Sequence, residues 1–404
     1  MRVLLAPHGS RGDVQPMLAL AVSLRDRGHV PAFIAPSNAI GWIRSWGFEA
    51  ESNGIDVEAL LQASGADLQS LRWQMRHLSD VTGQLFKAVA GASAACDVIV
   101  ASGIQMAASS VAEWRDIPYA NAIFCPCVLP SSLSPPPPIK MQTLPRWMNR
   151  LLWQIGAPLA DAGMRGAINR GRATLGLEPI DRLLTHLIGR CVLMAVDPDL
   201  APIDDEAPDA VVASDAWILK ESPALDPRVA AFLDLDPSPI YIGFGSMVAK
   251  RVPELAAHAI AATRALGRSA IIAGGWAGLD RHIMASDDIL MAGSVPHQAV
   301  FPRVAAVVHH GGAGTTTAAA AAGVPQVILP HILDQFYFAR RIEQLGLGPR
   351  ALPVDLITAD ILTDRLDTAL HDEGIRRRAA VLGPQVAARN GANTAVDQIE
   401  QLVG

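Results

Sequence analysis

The sequence has few cysteines. Four in 404 residues (Cys96, Cys125, Cys127 and Cys191) are too few for a disulfide framework in a chain of this size. The Cys-Pro-Cys at 125–127 would suit a soft metal only with a second pair or a histidine at ligand spacing, and none follows. We therefore expect reduced, packed cysteines, no metal site at this motif and a reducing cytoplasmic compartment.

Long apolar runs and blocks of like charge are also lacking. No run reaches the roughly 18 apolar residues of a membrane-spanning helix. The first residues form an apparent strand without the basic and apolar regions of a signal peptide, so none is expected. The net charge of −6 is spread evenly, which argues against a surface that binds nucleic acid.

What the chain does have is an alternation of apolar runs and helical patterns. A length of 404 residues suits two domains. Near-continuous apolar strands separated by helices indicate parallel sheets buried on both faces, so we predict two α/β, doubly wound domains facing a cleft. The predicted strands are 2–6, 30–35, 97–102, 119–124 and 191–196, then 240–244, 270–275, 289–293, 305–310 and 326–330. Ligands of such sheets bind beyond the carboxyl ends of the strands.

The stretch "VVHHGGAGTTTAAAAAGVPQVILPHILDQ" (307–335) carries the most chemistry. A strand ends near Val308, a glycine-rich turn follows, and an alanine-rich helix is predicted to begin near Thr315. Free N–H groups and the positive dipole end at a helix start bind anions, and glycines let a phosphate approach the backbone. We expect His310 and the hydroxyls of Thr315 and Thr316 to donate to phosphate. Asp334 and Gln335 follow the next strand and can bind sugar hydroxyls.

The spacing of His310, "AGVP" (322–325) and Asp334-Gln335 resembles the donor signature of family-1 glycosyltransferases. "GSRGDVQP" (9–16), "PIYIGFGSM" (239–247) and "VPHQAVFPRVAAVVHHGGAGTT" (295–316) are similar to bacterial antibiotic glycosyltransferases acting on glycopeptides and macrolides, and to sterol glucosyltransferases.

This resemblance implies a GT-B fold of two Rossmann-like domains. Its domain scheme would be an acceptor domain at 1–213, a linker at 214–238, a nucleotide-sugar domain at 239–386 and a terminal helix at 387–404 crossing back to the first domain. It implies an inverting hexosyl transfer from UDP- or dTDP-sugar, with no metal or other cofactor. The donor-binding residues implied are Ser246, Trp276, Val295, His310, Gly312, Ala313, Gly314, Thr315, Asp334 and Gln335.

The loop "HGSRGDVQP" (8–16) is where the resemblance puts a general base. Plant relatives carry a histidine in a Gly-His-x-x-Pro frame, and Asp13 stands in its place here. A carboxylate with a free pKa near 3.9 is a weak base, so burial or a nearby carboxylate would have to raise its pKa, while Arg11 could oppose that. Alternatively, Asp13 caps a helix beginning near Gln15 or orients the acceptor. His8 is a weaker rival base. Ser10, Arg11, Gly12 and Phe124 complete the acceptor-side candidates.

Three readings remain open for 129–156, where four prolines precede a helix bearing arginine and tryptophan. It is a surface loop with a packed helix, an acceptor-binding loop and lid, or a patch making transient membrane contact. "DPD" (197–199) and "DLD" (234–236) resemble metal-binding Asp-x-Asp motifs, but they lie in a proline-rich stretch and are interpreted as turn and cap residues.

The pattern departs from the plant relatives at Ser294, which stands where they stack uracil on tryptophan. Base recognition would then rest on Val295 and Trp276, which leaves UDP and dTDP both open. Asp334-Gln335 favours a glucose-like hexose. The Trp, Met, Leu and Pro of 50–190 suggest a bulky apolar acceptor such as a macrolide, another polyketide or a sterol. Alternatives are another enzyme acting on the nucleotide-sugar, or an auxiliary protein that only binds it. No G-x-G-x-x-G opens either half, which disfavours an oxidoreductase.

Overall fold

The computed structural model describes residues 1–64, 71–220, 225–245, 247, 252–275 and 285–404. Its first sheet has seven parallel strands in the order β3-β2-β1-β4-β5-β6-β7. These strands are β1 (Arg2–His8), β2 (Val30–Ala35), β3 (Glu49–Ser52), β4 (Val98–Gly103), β5 (Tyr119–Ile123), β6 (Val192–Met194) and β7 (Val211–Ala213).

The second sheet has five parallel strands in the order β10-β9-β8-β11-β12. They are β8 (Ile240–Gly243), β9 (Ala270–Ala273), β10 (Ile289–Ala292), β11 (Ala306–His309) and β12 (Gln326–Ile328). The predicted class, two doubly wound parallel-sheet α/β units, is confirmed.

Helices cover the faces of both sheets. In the first half they are α1 (Arg11–Asp26), α2 (Ile40–Ser45), α3 (Val57–Ser64), α4 (Leu71–Ala92), α5 (Ala108–Arg115), α6 (Arg146–Thr174), α7 (Leu183–Ile188) and α8 (Pro227–Leu233). In the second half they are α9 (Val252–Ala265), α10 (His297–Val300), α11 (Ala313–Ala321), α12 (Gln335–Leu345), α13 (Ala359–His371), α14 (Glu373–Ala388) and α15 (Gly391–Val403). Short 3₁₀ turns lie at Ser37–Ala39, Pro126–Val128, Phe301–Arg303 and Val354–Leu356. Of the described helices, none is long and apolar enough to cross a bilayer.

The chain's last helix packs on its first. Arg27, at the end of α1, pairs with Asp397 and Glu400 of α15, and His29 Nε2 lies 2.7 Å from Glu400 Oε1. Apolar side chains of α15 join the core of the first sheet, where Ala395, Val396 and Ile399 are fully buried. α15 is therefore packed into the first domain, although it follows the second along the chain.

The acidic motif at 197–199 also connects the two domains. Its carboxylates pair with Arg389, which follows α14. Asp197 Oδ1 accepts from the backbone N–H groups of Asp199 and Leu200, at 3.0 and 3.2 Å. The motif forms a turn, as predicted, shortly after β6. Asp234 of the second motif ends α8 and pairs with Arg303. Nowhere in the described ranges do three His, Cys, Asp or Glu side chains group to hold a metal ion.

The prediction of reduced cysteines was wrong for one pair. Cys125 and Cys127 are joined by a disulfide, and Cys96 and Cys191 are free and buried. The Cα atoms of the bonded pair are 5.3 Å apart, within the span that a disulfide bridges. The 3₁₀ turn beginning at Pro126 brings the two sulfurs together, which spacing in the sequence does not reveal.

Candidate active site

Both sheets have a topological switch point, and the candidate residues lie there. In the first sheet, β1 and β4 are neighbours, and the loops after them run in opposite directions. In the second sheet, β8 and β11 stand in the same relation. Crevices at the carboxyl ends of such strand pairs are where ligands of doubly wound sheets bind. Asp13 follows β1 and His310 follows β11.

Asp13 lies in the first turn of α1, which begins at Arg11 and not near Gln15 as predicted. Ser10 is the N-cap residue because its side chain accepts from the Gly12 N–H at 3.3 Å. Asp13 Oδ2 in turn accepts from the Ser10 N–H at 2.8 Å, which completes a capping box. The carboxylate therefore caps the helix and is held in one orientation by that bond.

Two glycines allow the backbone to close around this carboxyl group. A Cβ on Gly9 would stand 2.1 Å from Asp13 Oδ2, and one on Gly103, at the end of β4, would stand 3.0 Å from Oδ1 and 2.2 Å from the carbonyl oxygen of His8. Gly103 also has φ of +68°, which disfavours any other residue. The switch point thus forms a cradle that only glycine at both positions permits.

Burial within this cradle raises the pKa of Asp13 to about 6, and the hydrogen bonds from Ser10 oppose that rise only in part. This is the direction that a general base working near neutral pH requires. The guanidinium of Arg11 donates to Ser294 and lies 4.6 Å from the centre of the Trp42 ring. His8, the weaker rival, is buried, and its Nδ1 is 3.3 Å from the Asn53 side chain.

His310 lies between two glycines of the second domain. A Cβ on Gly245 would stand 3.2 Å from its ring and one on Gly312 would stand 2.5 Å from its Nε2. Burial is the main cause that holds the pKa of His310 well below its usual value, and the neighbouring histidines add to it. The ring is therefore neutral. Its Nδ1 is buried without a hydrogen-bond partner among the described residues. A neutral imidazole with an unused nitrogen can bond a ligand oxygen.

The preceding His309 is structural. Its Nδ1 accepts from the Gly311 N–H at 3.1 Å, so Nε2 carries the proton that it donates to Gln326 at 2.9 Å. This bond shapes the glycine turn, where Gly311 has φ of +92° and a Cβ would meet Ile328 at 2.7 Å. The turn therefore sits close on β12 and leads directly into α11.

The N-terminus of α11 is open. Gly312 is the N-cap residue and makes no side-chain cap, while Gly314 is exposed and has open space where a Cβ would be. The first N–H groups of the helix therefore remain available for an anion. Ala313 packs against side chains of the first domain. The prediction that the Thr316 hydroxyl donates to phosphate was wrong, because that hydroxyl donates to the Gly312 carbonyl at 2.9 Å. Thr315 is half-buried beside the open turn.

Asp334 and Gln335 begin α12. Leu333 has the uncommon φ of +49° for a residue with a side chain, and Asp334 follows as the N-cap residue. Gln335 Oε1 accepts from the N–H groups of His331 and Ile332, at 2.8 and 3.1 Å, and its Nε2 lies 2.9 Å from the sulfur of Met247. Gln335 thus folds this loop, and its side chain is engaged within the protein.

Asp334 is linked electrostatically to Asp13. Burial raises the pKa of Asp334 to about 7, and the negative charge of Asp13 adds to that rise. The two carboxyl groups come from different domains, so the candidate base and the candidate sugar-binding acid share one cleft.

Other predicted residues lie around this centre. Arg11 reaches across the cleft to Ser294. Burial, and in addition the charge of Arg11, lowers the pKa of His297 to about 3. Val295 packs against the apolar cluster that includes Ala292 of β10 and Phe301. Phe124 meets Trp217 edge to face at 6.0 Å, so it supports the chain between the domains. Ser246 and Trp276 lie outside the described residues.

Gly103 was missed by the sequence analysis, since a lone glycine after a strand is an ordinary turn signal. Ser102 beside it donates its hydroxyl to the backbone carbonyl of Asp13 at 3.1 Å. The only available signal was its place after the strand "DVIVAS", because pairing of β4 with β1 makes that loop the neighbour of Asp13.

Two family models match the chain. The N-terminal domain of glycosyltransferase family 28 matches residues 3–131, and the C-terminal domain of erythromycin biosynthesis protein CIII-like proteins matches residues 278–402.

Solved structures agree with this chain in fold. The glycosyltransferase of kitacinnamycin has a TM-score of 0.74 at 18% identity, covering 100% of this chain and 99% of that one. VinC in complex with dTDP has a TM-score of 0.70 at 20% identity, with the same coverage.

Curated relatives are more similar in sequence. Glycosyltransferase GtfE of Amycolatopsis orientalis is 38% identical, covering 100% of this chain and 98% of the relative. Vancomycin aglycone glucosyltransferase of the same organism is also 38% identical, covering 95% and 93%. A sterol 3-beta-glucosyltransferase of Yarrowia lipolytica is 28% identical over 99% of this chain and 28% of its own length. The chain belongs to the family of GT-B glycosyltransferases that includes the glycopeptide-antibiotic enzymes, and it is a glycosyltransferase.

Proposed function

We propose that this protein is an inverting O-glycosyltransferase that moves a glucose-like hexose from UDP- or dTDP-sugar to a hydroxyl of a bulky apolar natural product. The observation that carries the proposal is the carboxyl group of Asp13, raised to a pKa of about 6 and held at the switch point of the first sheet. Burial, and in addition the charge of Asp13, raises the pKa of Asp334, which supports a donor-side loop of the second domain at the same cleft.

The reaction is a single displacement. The acceptor oxygen forms a bond to the anomeric carbon, the bond from that carbon to the diphosphate oxygen breaks, and the acceptor proton passes to Asp13. The bond from the Ser10 N–H fixes one carboxyl oxygen, Oδ2. Because attack comes from the side opposite the leaving group, an α-linked donor gives a β-glycoside.

In this proposal the N-terminus of α11 binds the leaving diphosphate. Its free N–H groups and the positive end of its dipole meet the developing negative charge, and the neutral His310 adds a hydrogen bond. Such preorganised donors supply several kcal/mol of transition-state stabilisation, so we propose that no metal is required. Asp334, with its pKa of about 7, can bond sugar hydroxyls as donor or acceptor near neutral pH.

Donor and acceptor classes rest on the relatives. A dTDP-epi-vancosaminyltransferase at 33% identity and VinC with bound dTDP favour a thymidine donor, whereas a sterol glucosyltransferase at 28% identity favours glucose. The relative named vancomycin aglycone glucosyltransferase, at 38% identity, acts by its name on an aglycone. We propose a macrolide, another polyketide or a sterol as the acceptor class for this chain, and the cytoplasm as its compartment.

Calorimetric titration with UDP and with dTDP, in the presence of EDTA, tests the donor site. Micromolar binding of one nucleotide, weakened at least tenfold by His310→Ala, supports it. Asp13→Asn should bind the same nucleotide as tightly as the parent yet lose transfer in an acceptor screen. Thermal melts show whether each variant is folded. Binding of nucleotide-sugar by the parent with no transfer to any acceptor would instead indicate an auxiliary binding protein, and no binding at all would overturn the donor site.

A further inference from the structure

The exposed side of α6 carries an apolar stripe that the glycosyl-transfer chemistry does not use. Its members follow one another at intervals of four residues, which places them along one side of a helix. They are Trp147, Leu151, Ile155 and Leu159, with 62%, 45%, 54% and 66% of their surfaces exposed. Scattered exposed apolar residues are ordinary, but a continuous stripe of four on one helix marks an interaction surface.

The opposite side of α6 is already occupied, so the helix cannot turn the stripe inward. Asn149 donates to the Ser132 carbonyl at 3.0 Å, and the Trp153 indole donates to the Ser134 carbonyl at 3.0 Å. Both side chains are buried. Further along, Gly171 packs so closely that a Cβ would stand 2.3 Å from Phe86 of α4. α6 is thus held at both ends by its buried side.

Charge around the stripe indicates what it meets. The segment from Lys140 to Asp161, which contains the stripe, has three basic residues, Lys140, Arg146 and Arg150, and one acid, in a chain whose acidic residues outnumber its basic ones, 39 to 33. No charged residue lies between Arg150 and Asp161, so the middle of the stripe is wholly uncharged. Arg150 pairs with Glu206, while Arg146 stands exposed beside Trp147.

We propose that this face of α6 docks on an anionic membrane surface. An apolar stripe containing tryptophan, flanked by arginines, suits a helix lying in the plane of the lipid headgroups. The apolar side chains enter the acyl boundary and the basic residues meet anionic headgroups. A second copy of this chain docked through the same face would set the basic residues of one copy against those of the other, and so would lack that charge complementarity.

The docked face lies next to the candidate active site. Lys140, in the segment leading into α6, has its ammonium 5.6 Å from the ring centre of Phe336, which directly follows Gln335. A bilayer on the stripe would therefore border the cleft, where an apolar acceptor could be taken from the lipid. This last step depends on the proposed function, whereas membrane docking itself does not.

Flotation of the whole protein with lipid vesicles tests the docking. Vesicles of phosphatidylcholine containing about one-third phosphatidylglycerol should bind the protein, and pure phosphatidylcholine vesicles should bind much less. Replacing Trp147 and Ile155 together by glutamine should reduce the partition coefficient roughly tenfold or more. Arg146→Glu should reduce binding to the anionic vesicles alone.

A matched pair of exposed apolar residues in the second domain supplies the control. Leu356 and Val381 are 58% and 61% exposed, and their double replacement by glutamine should leave vesicle binding unchanged. Circular dichroism should show that both double variants remain folded. Absence of binding to either vesicle, or equal loss in both variants, overturns the proposal. So does light scattering that shows the stripe holding two copies together, and none of these readouts requires nucleotide binding.

Discussion

The carboxyl groups of Asp13 and Asp334 belong to different domains, and the charge of the first raises the pKa of the second. Burial raises the pKa of both carboxyl groups, which is about 6 for Asp13 and about 7 for Asp334. Asp13 ionises first, so its charge opposes the ionisation of Asp334, and removing that charge should make Asp334 easier to ionise. The two groups therefore titrate one after the other, in the range where an enzyme at neutral pH operates.

The rate of glycosyl transfer should depend on pH through Asp13. Since the base must be ionised, kcat/KM should rise about tenfold per pH unit below about 6 and then level off. In Asp334→Asn the limb should stay near pH 6, because Asp334, with a pKa of about 7, is still protonated and uncharged where Asp13 ionises. Asp288→Asn, a carboxylate paired with Arg264 in the second domain, is the control and should also leave the profile unchanged. A limb that moved by a pH unit or more in Asp334→Asn would show that Asp334 is already charged when Asp13 ionises.

Stability should change with pH in the sense opposite to ordinary ion-paired carboxylates. Asp334 has a raised pKa when folded, so between its unfolded value, near 3.8, and about 7 the folded state holds more protons and stability falls as pH rises. Because one pKa unit corresponds to about 1.4 kcal/mol, Asp334→Asn should stabilise the protein by up to about 4 kcal/mol at pH 8 and by little at pH 4. Urea unfolding at the two pH values measures this. A variant less stable at pH 8 would contradict the prediction.

Gly103 should tolerate no side chain. In Gly103→Ala the new Cβ collides with the His8 carbonyl and the Asp13 carboxyl, and the alanine must also adopt a left-handed backbone conformation. We therefore expect the free energy of unfolding to fall by about 3 kcal/mol and glycosyl transfer to be lost. Gly176 has a similar φ of +74° but open space around it. Gly176→Ala should cost only about 1–2 kcal/mol and leave kcat/KM unchanged. Equal losses of stability in the two variants would show that the cradle around Asp13 is not tight.

Sequence patterns predicted ten of the twelve strands found in the described part of the chain, because those ten are apolar and buried. β3 was missed since its sequence, Glu-Ala-Glu-Ser, is mostly polar, as an edge strand allows; β7 lies at the other edge of the same sheet and has no fully buried residue. The loops of the site were predicted from their place after strands. Their electrostatics were not, because the pKa of Asp13 depends on Gly103, which is 90 residues away along the chain and adjacent only after β1 pairs with β4.

Arg389 should hold the two domains together through the turn after β6. It pairs with Asp199 and with Asp197, whose side chain is fully buried. Arg389→Met leaves that buried carboxylate uncompensated, so we expect a loss of about 3 kcal/mol of unfolding free energy. Adding Asp197→Asn should recover much of it, because the amide oxygen can still accept from the N–H groups of Asp199 and Leu200.

The control for this cycle is Arg264, which forms an exposed pair with Asp288 within the second domain. Arg264→Met should leave the melting temperature unchanged, because exposed pairs contribute little. Calorimetric melts of the single and double variants measure the coupling. If Arg389→Met alone were neutral, or if Asp197→Asn added to its loss, then Arg389 would not be compensating a buried charge. The contact between the domains would then rest on apolar packing and on Arg341, which donates to the Leu200 carbonyl at 2.8 Å.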